Sequence, residues 1–254
     1  MALESYIREG LKKKDILLMT HIVLGYPSFD ASMEIIRTMV KSGVDIMELQ
    51  IPFSEPTADG PVIVQASQRS IEKGATVERC LELAGWAAKS FNIPFLIMSY
   101  YNIPFKYGVE RFAGAMAGAG LKGAIIADIP PEEGMDYLAA MQKHNMEPIM
   151  LISPTTTSER MKFIASFAKG FIYCVARKGV TGKETDLTKE LEDYLKRCRR
   201  EAGLPLAVGF GIKDKADIDF LKGKAEIAVI GTRSIDIMEK KGIGPVGDFI
   251  RSLR

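Results

Sequence analysis

Short apolar, β-branched runs alternate along the whole chain with longer stretches whose apolar residues recur three or four apart. The short runs predict strands at Ile16–Val23, Val44–Ile51, Pro94–Ser99, Gly123–Ala127, Glu147–Ile152, Gly170–Val175, Pro205–Val208 and Glu226–Ile230. Helical spacing lies between them, for example over Ala31–Lys41, Val77–Ser90, Val109–Ala119 and Glu132–His144. Eight strands, each followed by a helix or helical turn, fit a closed parallel barrel or a doubly wound sheet. The 254 residues allow about 32 per unit, the usual spacing of a (β/α)8 barrel. The first strand is followed by Leu24-Gly25-Tyr26-Pro27 rather than a Gly-rich dinucleotide fingerprint. No stretch rich in Gly, Ser or Pro divides the chain. The expected architecture is α/β, a single-domain (β/α)8 TIM barrel over residues 1–254, with an extra helix at the amphipathic start MALESYIREGLKKKD.

Composition narrows the class of function. The 34 Lys and Arg against 32 Asp and Glu leave a formal charge of +2, no footprint for nucleic acid or an anionic membrane. Cys80, Cys174 and Cys198 are widely spaced, form no CxxC pair and have no nearby His, so neither a disulfide framework nor a metal site is expected. The start lacks the apolar core of a signal peptide, and the apolar runs are too short to span a bilayer. These features point to a cytoplasmic enzyme acting on a small molecule.

In a barrel of this kind chemistry belongs to the C-terminal ends of the strands. The second strand reads Asp45-Ile46-Met47-Glu48-Leu49-Gln50-Ile51. Alternation groups Glu48 with Ile46 and Gln50, and places Met47, Leu49 and Ile51 on the opposite, helix-facing side. A carboxyl inside a barrel must be neutralised, paired or used, and partial burial favours its protonated form, which suits general acid–base work. Taken alone, Glu48 could equally be a barrel residue satisfied by a neighbouring Ser, Tyr or Arg. The next loop carries Ser54, Glu55 and Asp59 between prolines, where Asp59 is either a second carboxylate over the barrel mouth or a turn residue before Gly60.

Gly209-Phe210-Gly211-Ile212 follows the seventh strand, and Gly231-Thr232 follows the eighth, just before a helix. Loops in these two places with a helix N-terminus commonly bind phosphate through backbone N–H groups and the helix dipole. A longer loop, Arg177-Lys178-Gly179-Val180-Thr181-Gly182 and on to Leu187, reads as a lid over that phosphate.

The stretch Glu48-Leu49-Gln50-Ile51-Pro52-Phe53-Ser54-Glu55-Pro56-Thr57-Ala58-Asp59-Gly60-Pro61 closely resembles the signature of the tryptophan synthase alpha subunit family. Leu24-Gly25-Tyr26-Pro27, Ala127-Asp128-Ile129-Pro130, the 177–182 loop and Gly209-Phe210-Gly211-Ile212 agree in order and spacing, so the resemblance spans essentially the whole chain. It implies a (β/α)8 barrel that cleaves indole-3-glycerol phosphate to indole and glyceraldehyde 3-phosphate. It also implies a PLP-dependent beta subunit as partner in an alpha2beta2 heterotetramer, with no cofactor and no metal in this chain. By resemblance Glu48 moves the carbon and hydroxyl protons, and Asp59 pairs with the indole N–H. Tyr100 corresponds to an aromatic contact to the indole and glycerol part, and Tyr173 to a residue beside the catalytic Glu. Thr181, in the 177–182 loop, is expected by resemblance to bind substrate, and Gly182, Phe210, Gly211, Gly231 and Thr232 correspond to the phosphate cradle.

Three features depart from the pattern. Gln50 stands where the family usually has Gly, so its side chain must fill part of the pocket or hydrogen-bond beside Glu48. Glu55 and Thr57 replace the usual Asp and Leu of the loop that touches the beta subunit. His21 stands where an apolar or aromatic residue is typical, and a lone strand His is more often a satisfied core residue than a catalyst. Two other readings stay open on the sequence: a stand-alone lyase on indole-3-glycerol phosphate or a related phosphate ester, not coupled to a beta subunit, and a non-catalytic subunit that activates a partner enzyme.

Overall fold

The computed structural model describes residues 1–176, 189–209 and 211–254. Its strands are β1 (Leu17–Val23), β2 (Ile46–Gln50), β3 (Phe95–Ser99), β4 (Gly123–Ile126), β5 (Glu147–Ile152), β6 (Ile172–Val175), β7 (Leu206–Gly209) and β8 (Ile227–Ile230). The helices are α1 (Leu3–Leu11), α2 (Phe29–Lys41), α3 (Pro61–Glu72), α4 (Val77–Ser90), α5 (Asn102–Tyr107), α6 (Val109–Ala119), α7 (Met135–Lys143), α8 (Ser158–Ala165), α9 (Lys189–Ala202), α10 (Lys215–Leu221), α11 (Thr232–Lys241) and α12 (Gly244–Ser252). The eight strands pair in parallel in chain order, and β8 closes onto β1. Every sequence-predicted strand is present, with no end displaced by more than two residues.

Alternation divides the core into two shells. Leu17, Met19, Ile46, Leu96, Ile125, Ile149, Ala207 and Ile227 fill the barrel interior. Leu18, Met47, Leu49, Ile97, Ile172 and Val208 pack outward against the helices. The β2 pattern read from sequence therefore holds: Ile46 belongs to the interior, and Met47, Leu49 and Ile51 to the outer shell. Helix starts follow their capping residues, since the side chains of Ser28, Thr76, Thr157 and Asp214 each accept a backbone N–H of the first turn. The helix expected over Glu132–His144 starts only at Met135. Pro130 to Gly134 form turns instead, with the Gly134 N–H donating to the Pro130 carbonyl at 3.1 Å.

The expected extra helix, α1, closes the bottom of the barrel. Leu3 and Ile7 pack into the interior shell, and the Leu3 N–H donates to Glu147 Oε1 at 2.8 Å. Ile7→Ala would leave a void against side chains that cannot collapse into it. The expected cost is about 2–5 kcal/mol, read as a lower urea midpoint with unchanged slope. The opposite end of the barrel is thereby left as the open mouth.

Candidate active site

The mouth is built on a ring of neighbouring strand ends. In the β1–β2 register His21 pairs with Glu48, and Val23 with Gln50. His21 shares the inward side of β1 with Leu17 and Met19, and Glu48 and Gln50 share that of β2 with Ile46. His21, Glu48 and Gln50 are all buried, at 4%, 3% and 0% exposure. Such burial is costly unless each polar group finds a partner. His21 Nδ1 lies 3.0 Å from Glu48 Oε1, and Gln50 Nε2 donates to Asp59 Oδ2 at 2.7 Å. The remaining polar ends, Glu48 Oε2, His21 Nε2 and Gln50 Oε1, are buried without a protein partner. Orphaned polar atoms are rare in native interiors, and three together mark a place made to meet something other than the protein.

The β2–α3 loop delivers the second carboxyl. A tight turn, closed by the Asp59 N–H on the Pro56 carbonyl at 3.0 Å, brings Asp59 back over the barrel. The Tyr100 hydroxyl holds it there by donating to Asp59 Oδ2 at 2.9 Å while accepting from the Ala58 N–H at 3.1 Å. Phe53 stacks on the Tyr100 ring, with centroids 5.3 Å apart. Asp59 is thus an inward-facing group at 9% exposure and more than a turn residue. Tyr100 is a clamp on it, with a hydroxyl that faces this carboxyl rather than water.

Glu48, Asp59, Tyr173, Gly211, Gly231 and Thr232 line one cavity of about 240 Å³, together with His21, Ile125, Leu151 and Val229. Seven sequence-predicted site residues therefore converge, counting Tyr100 through its bond to Asp59. Thr181, Gly182 and the proposed lid lie outside the described residues, as does Phe210. Two glycines have clear structural reasons. Gly211 adopts φ +82°, a left-handed conformation that L side chains rarely take. A Cβ on Gly209 would sit 2.8 Å from the Tyr173 hydroxyl, so only glycine leaves room for that ring. Gly231 leads into α11, a ten-residue helix with no acidic residue in its first turn. Its N-terminal N–H groups and dipole form one edge of the cavity and favour an anion.

The charges within the mouth are coupled. Burial pushes the His21 imidazolium toward losing its proton. The hydrogen bond and charge of Glu48 outweigh that, aided by the Asp59 charge and the Gln50 amide, and His21 ends above the ordinary histidine pKa. The Tyr173 phenol is held well above its usual value by burial and by the charges of Glu48 and Asp59, so it remains protonated.

Outside the mouth, His144 caps the end of α7 and lies 2.7 Å from Glu110, a surface role. The three cysteines are buried free thiols, and among the described residues no cluster of His, Cys, Asp or Glu could hold a metal ion. Sequence reasoning missed the part played by His21, whose spacing gives no sign of its partner. It also left the bonding partner of Gln50 undecided, which proves to be Asp59.

Residues 8–247 match the family described as Tryptophan synthase alpha chain. The chain is 61% identical over 251 residues to the tryptophan synthase alpha chain of Desulforapulum autotrophicum, covering 99% of each chain. It is 59% identical to that of Syntrophotalea carbinolica, covering 99% of this chain and 100% of the other. Its fold superposes on a structure of Mycobacterium tuberculosis tryptophan synthase with a TM-score of 0.92 at 27% identity, over 100% of this chain and 97% of the other.

Proposed function

The chain belongs to the tryptophan synthase alpha chain family and is a lyase of the alpha reaction, and from the geometry of its mouth we propose how its own residues cleave indole-3-glycerol phosphate to indole and glyceraldehyde 3-phosphate. The observation that carries this reading is the pair of buried carboxyls, Glu48 and Asp59, opening on one cavity with the N-terminus of α11.

The substrate phosphate rests against the backbone of Gly231 and Thr232, with Gly211 beside it. The indole ring lies among Ile125, Leu151 and Val229, its N–H on Asp59. Glu48 gives a proton to indole C3, and the positive charge that develops at the ring nitrogen is stabilised by the Asp59 carboxylate. Glu48 then takes the proton of the adjacent glycerol hydroxyl. The bond to C3 breaks, its electron pair restores the aromatic ring, and the hydroxyl carbon becomes the aldehyde. One proton leaves Glu48 and one returns, so no external acid, base or redox partner is consumed. The Tyr173 phenol beside Glu48 contributes a protonated hydroxyl. Burial of the mouth strengthens each interaction by excluding water.

A carboxylate placed at the anion cradle should weaken substrate binding selectively. Thr232 opens α11 in helical geometry, so an aspartate fits its backbone and sets a carboxylate at the N-terminal N–H groups. Thr232→Asp is expected to raise KM for indole-3-glycerol phosphate about tenfold or more, with a smaller change in kcat. Steady-state kinetics with inorganic phosphate as competitor checks this.

Indole produced here would pass to a beta subunit that holds PLP, within an alpha2beta2 assembly. The β2–α3 loop offers Ser54, Glu55 and Thr57 to solvent as part of the docking face. Among the described residues no helix is long and apolar enough to cross a membrane; the place of work we propose is the cytoplasm. Indole release by the purified chain, with and without a beta subunit, tests the coupling. Turnover that rises strongly on adding the partner supports this reading. Full turnover without response would make the chain a stand-alone lyase, and no indole under either condition would leave only an activating subunit.

A further inference from the structure

We propose that His21 is a positioning residue that also stores the proton Glu48 delivers, so that the two buried side chains work as one acid–base pair. The inference deepens the reading above and rests on it. It starts from two facts of placement: the β1–β2 register sets His21 directly beside Glu48, and Nδ1 lies 3.0 Å from Oε1 with both side chains buried.

The cleavage begins with a proton on Glu48 and needs an empty carboxylate moments later. A lone carboxyl at neutral pH is poorly suited to the first half of that task, because carboxylic acids ordinarily lose their proton near pH 4. A histidine bonded to one carboxylate oxygen removes the difficulty. The pair holds a single proton that resides on Nδ1 or on the carboxyl, and either form leads to the same reaction. Glu48 passes the proton to C3, recovers one from the hydroxyl and returns the pair to its starting state. The proton crosses from Nδ1 to Oε1, and a turn of the carboxyl about its Cγ–Cδ bond brings that oxygen to C3; Oε2, which has no protein partner, leaves the carboxyl free to turn.

The surroundings of His21 favour retention of that proton. Glu48 from β2 and Asp59 from the following loop are the charged groups that raise it, and Gln50 adds its amide. On the other side β8 leads into the Gly231 backbone, and no titratable side chain comes from that strand. Tyr173 from β6 acts on Glu48 as a neutral phenol. Helices α2, α3 and α11 pack against β1, but Asp30, Glu34, Arg37, Arg69, Arg233 and Glu239 are turned to solvent and Asp236 is half-exposed. Tyr26 directs its hydroxyl to Glu239. With His21 above the ordinary histidine pKa, the pair keeps its proton to higher pH than a free imidazole does. Activity then falls as pH rises through that raised value.

The chain has two histidines, so ring-nitrogen NMR resolves His21 from the surface residue His144. His21 is expected to titrate above the ordinary value in the wild type and below it in Glu48→Gln, where burial is no longer offset. In parallel, the pH dependence of kcat for indole release is compared among wild type, His21→Phe and His21→Gln, each first checked for an unchanged thermal melt. His21→Phe should lower kcat about tenfold or more, leave KM nearly unchanged, and move the alkaline limb down by about one pH unit or more. His21→Gln can still donate to Oε1 but cannot store a proton, so it should recover kcat at low pH while keeping the lowered limb. A ring that stays neutral, or a limb unmoved in both variants, overturns the proposal even if the wild type makes indole normally. A wild type that makes no indole at any pH would overturn the underlying reading, and this inference with it.

Discussion

Glu48→Gln is expected to lower the rate of indole release by about 10²–10⁴-fold, the range in which a positioned general acid–base acts. Glutamine has nearly the shape of glutamate, and its Oε1 can still accept from His21. The barrel should therefore keep its fold, and the anion cradle at Gly231 and Thr232 is untouched. What is lost is the ability to give a proton to C3 and take one from the hydroxyl. The loss should appear in kcat and in kcat/KM equally, because binding of the phosphate end is the same before and during reaction. Turnover assays with calorimetric titration of a phosphate ester separate the two effects. Parental kcat in this variant would rule out the mechanism.

Asp59→Asn should cost about 10²–10³-fold in kcat, the scale on which removal of one preorganised electrostatic partner is felt. The argument is again one of subtraction. Asn Oδ1 can accept from both Gln50 Nε2 and the Tyr100 hydroxyl, so the loop stays clamped over the mouth. Only the charge opposite the indole nitrogen disappears. Asp59→Ala would also release Tyr100 and Gln50, leaving a buried amide and hydroxyl unpaired, and should in addition lower thermal stability. The double variant with Glu48→Gln is expected to lose less than the product of the two effects, because both residues serve one transition state. Single and double variants assayed side by side check that non-additivity.

Much of this was legible in the sequence where the deciding physics is local. The helices at Val77–Ser90 and Val109–Ala119 and the strand at Glu147–Ile152 coincide with their sequence-predicted limits, and for the helices local signals set the ends: Thr76 caps the first, and Gly108 and Gly120, both at positive φ, bound the second. The inward side of β2 follows from alternation alone. Ends were less legible where a distant neighbour decides them. Gly209 joins β7 because it lies in register with Val175 and Val229 on the flanking strands, although glycine has little strand preference of its own. The same distinction governs the site. Glu48 and Asp59 stand in one continuous motif and could be named together. The pairing of His21 with Glu48 spans 27 positions and exists only through strand register, and the Gln50–Asp59 bond needs the loop to fold back over the barrel. A polar residue at an inward strand position beside a candidate acid was the available signal for His21, and register was needed to read it.

The most direct test of the central claim is the product balance when the purified chain is incubated with indole-3-glycerol phosphate alone. Retro-aldol cleavage by this mouth is expected to release indole and glyceraldehyde 3-phosphate in equal amounts, with nothing else added. Release of phosphate, or loss of substrate without indole, would contradict it.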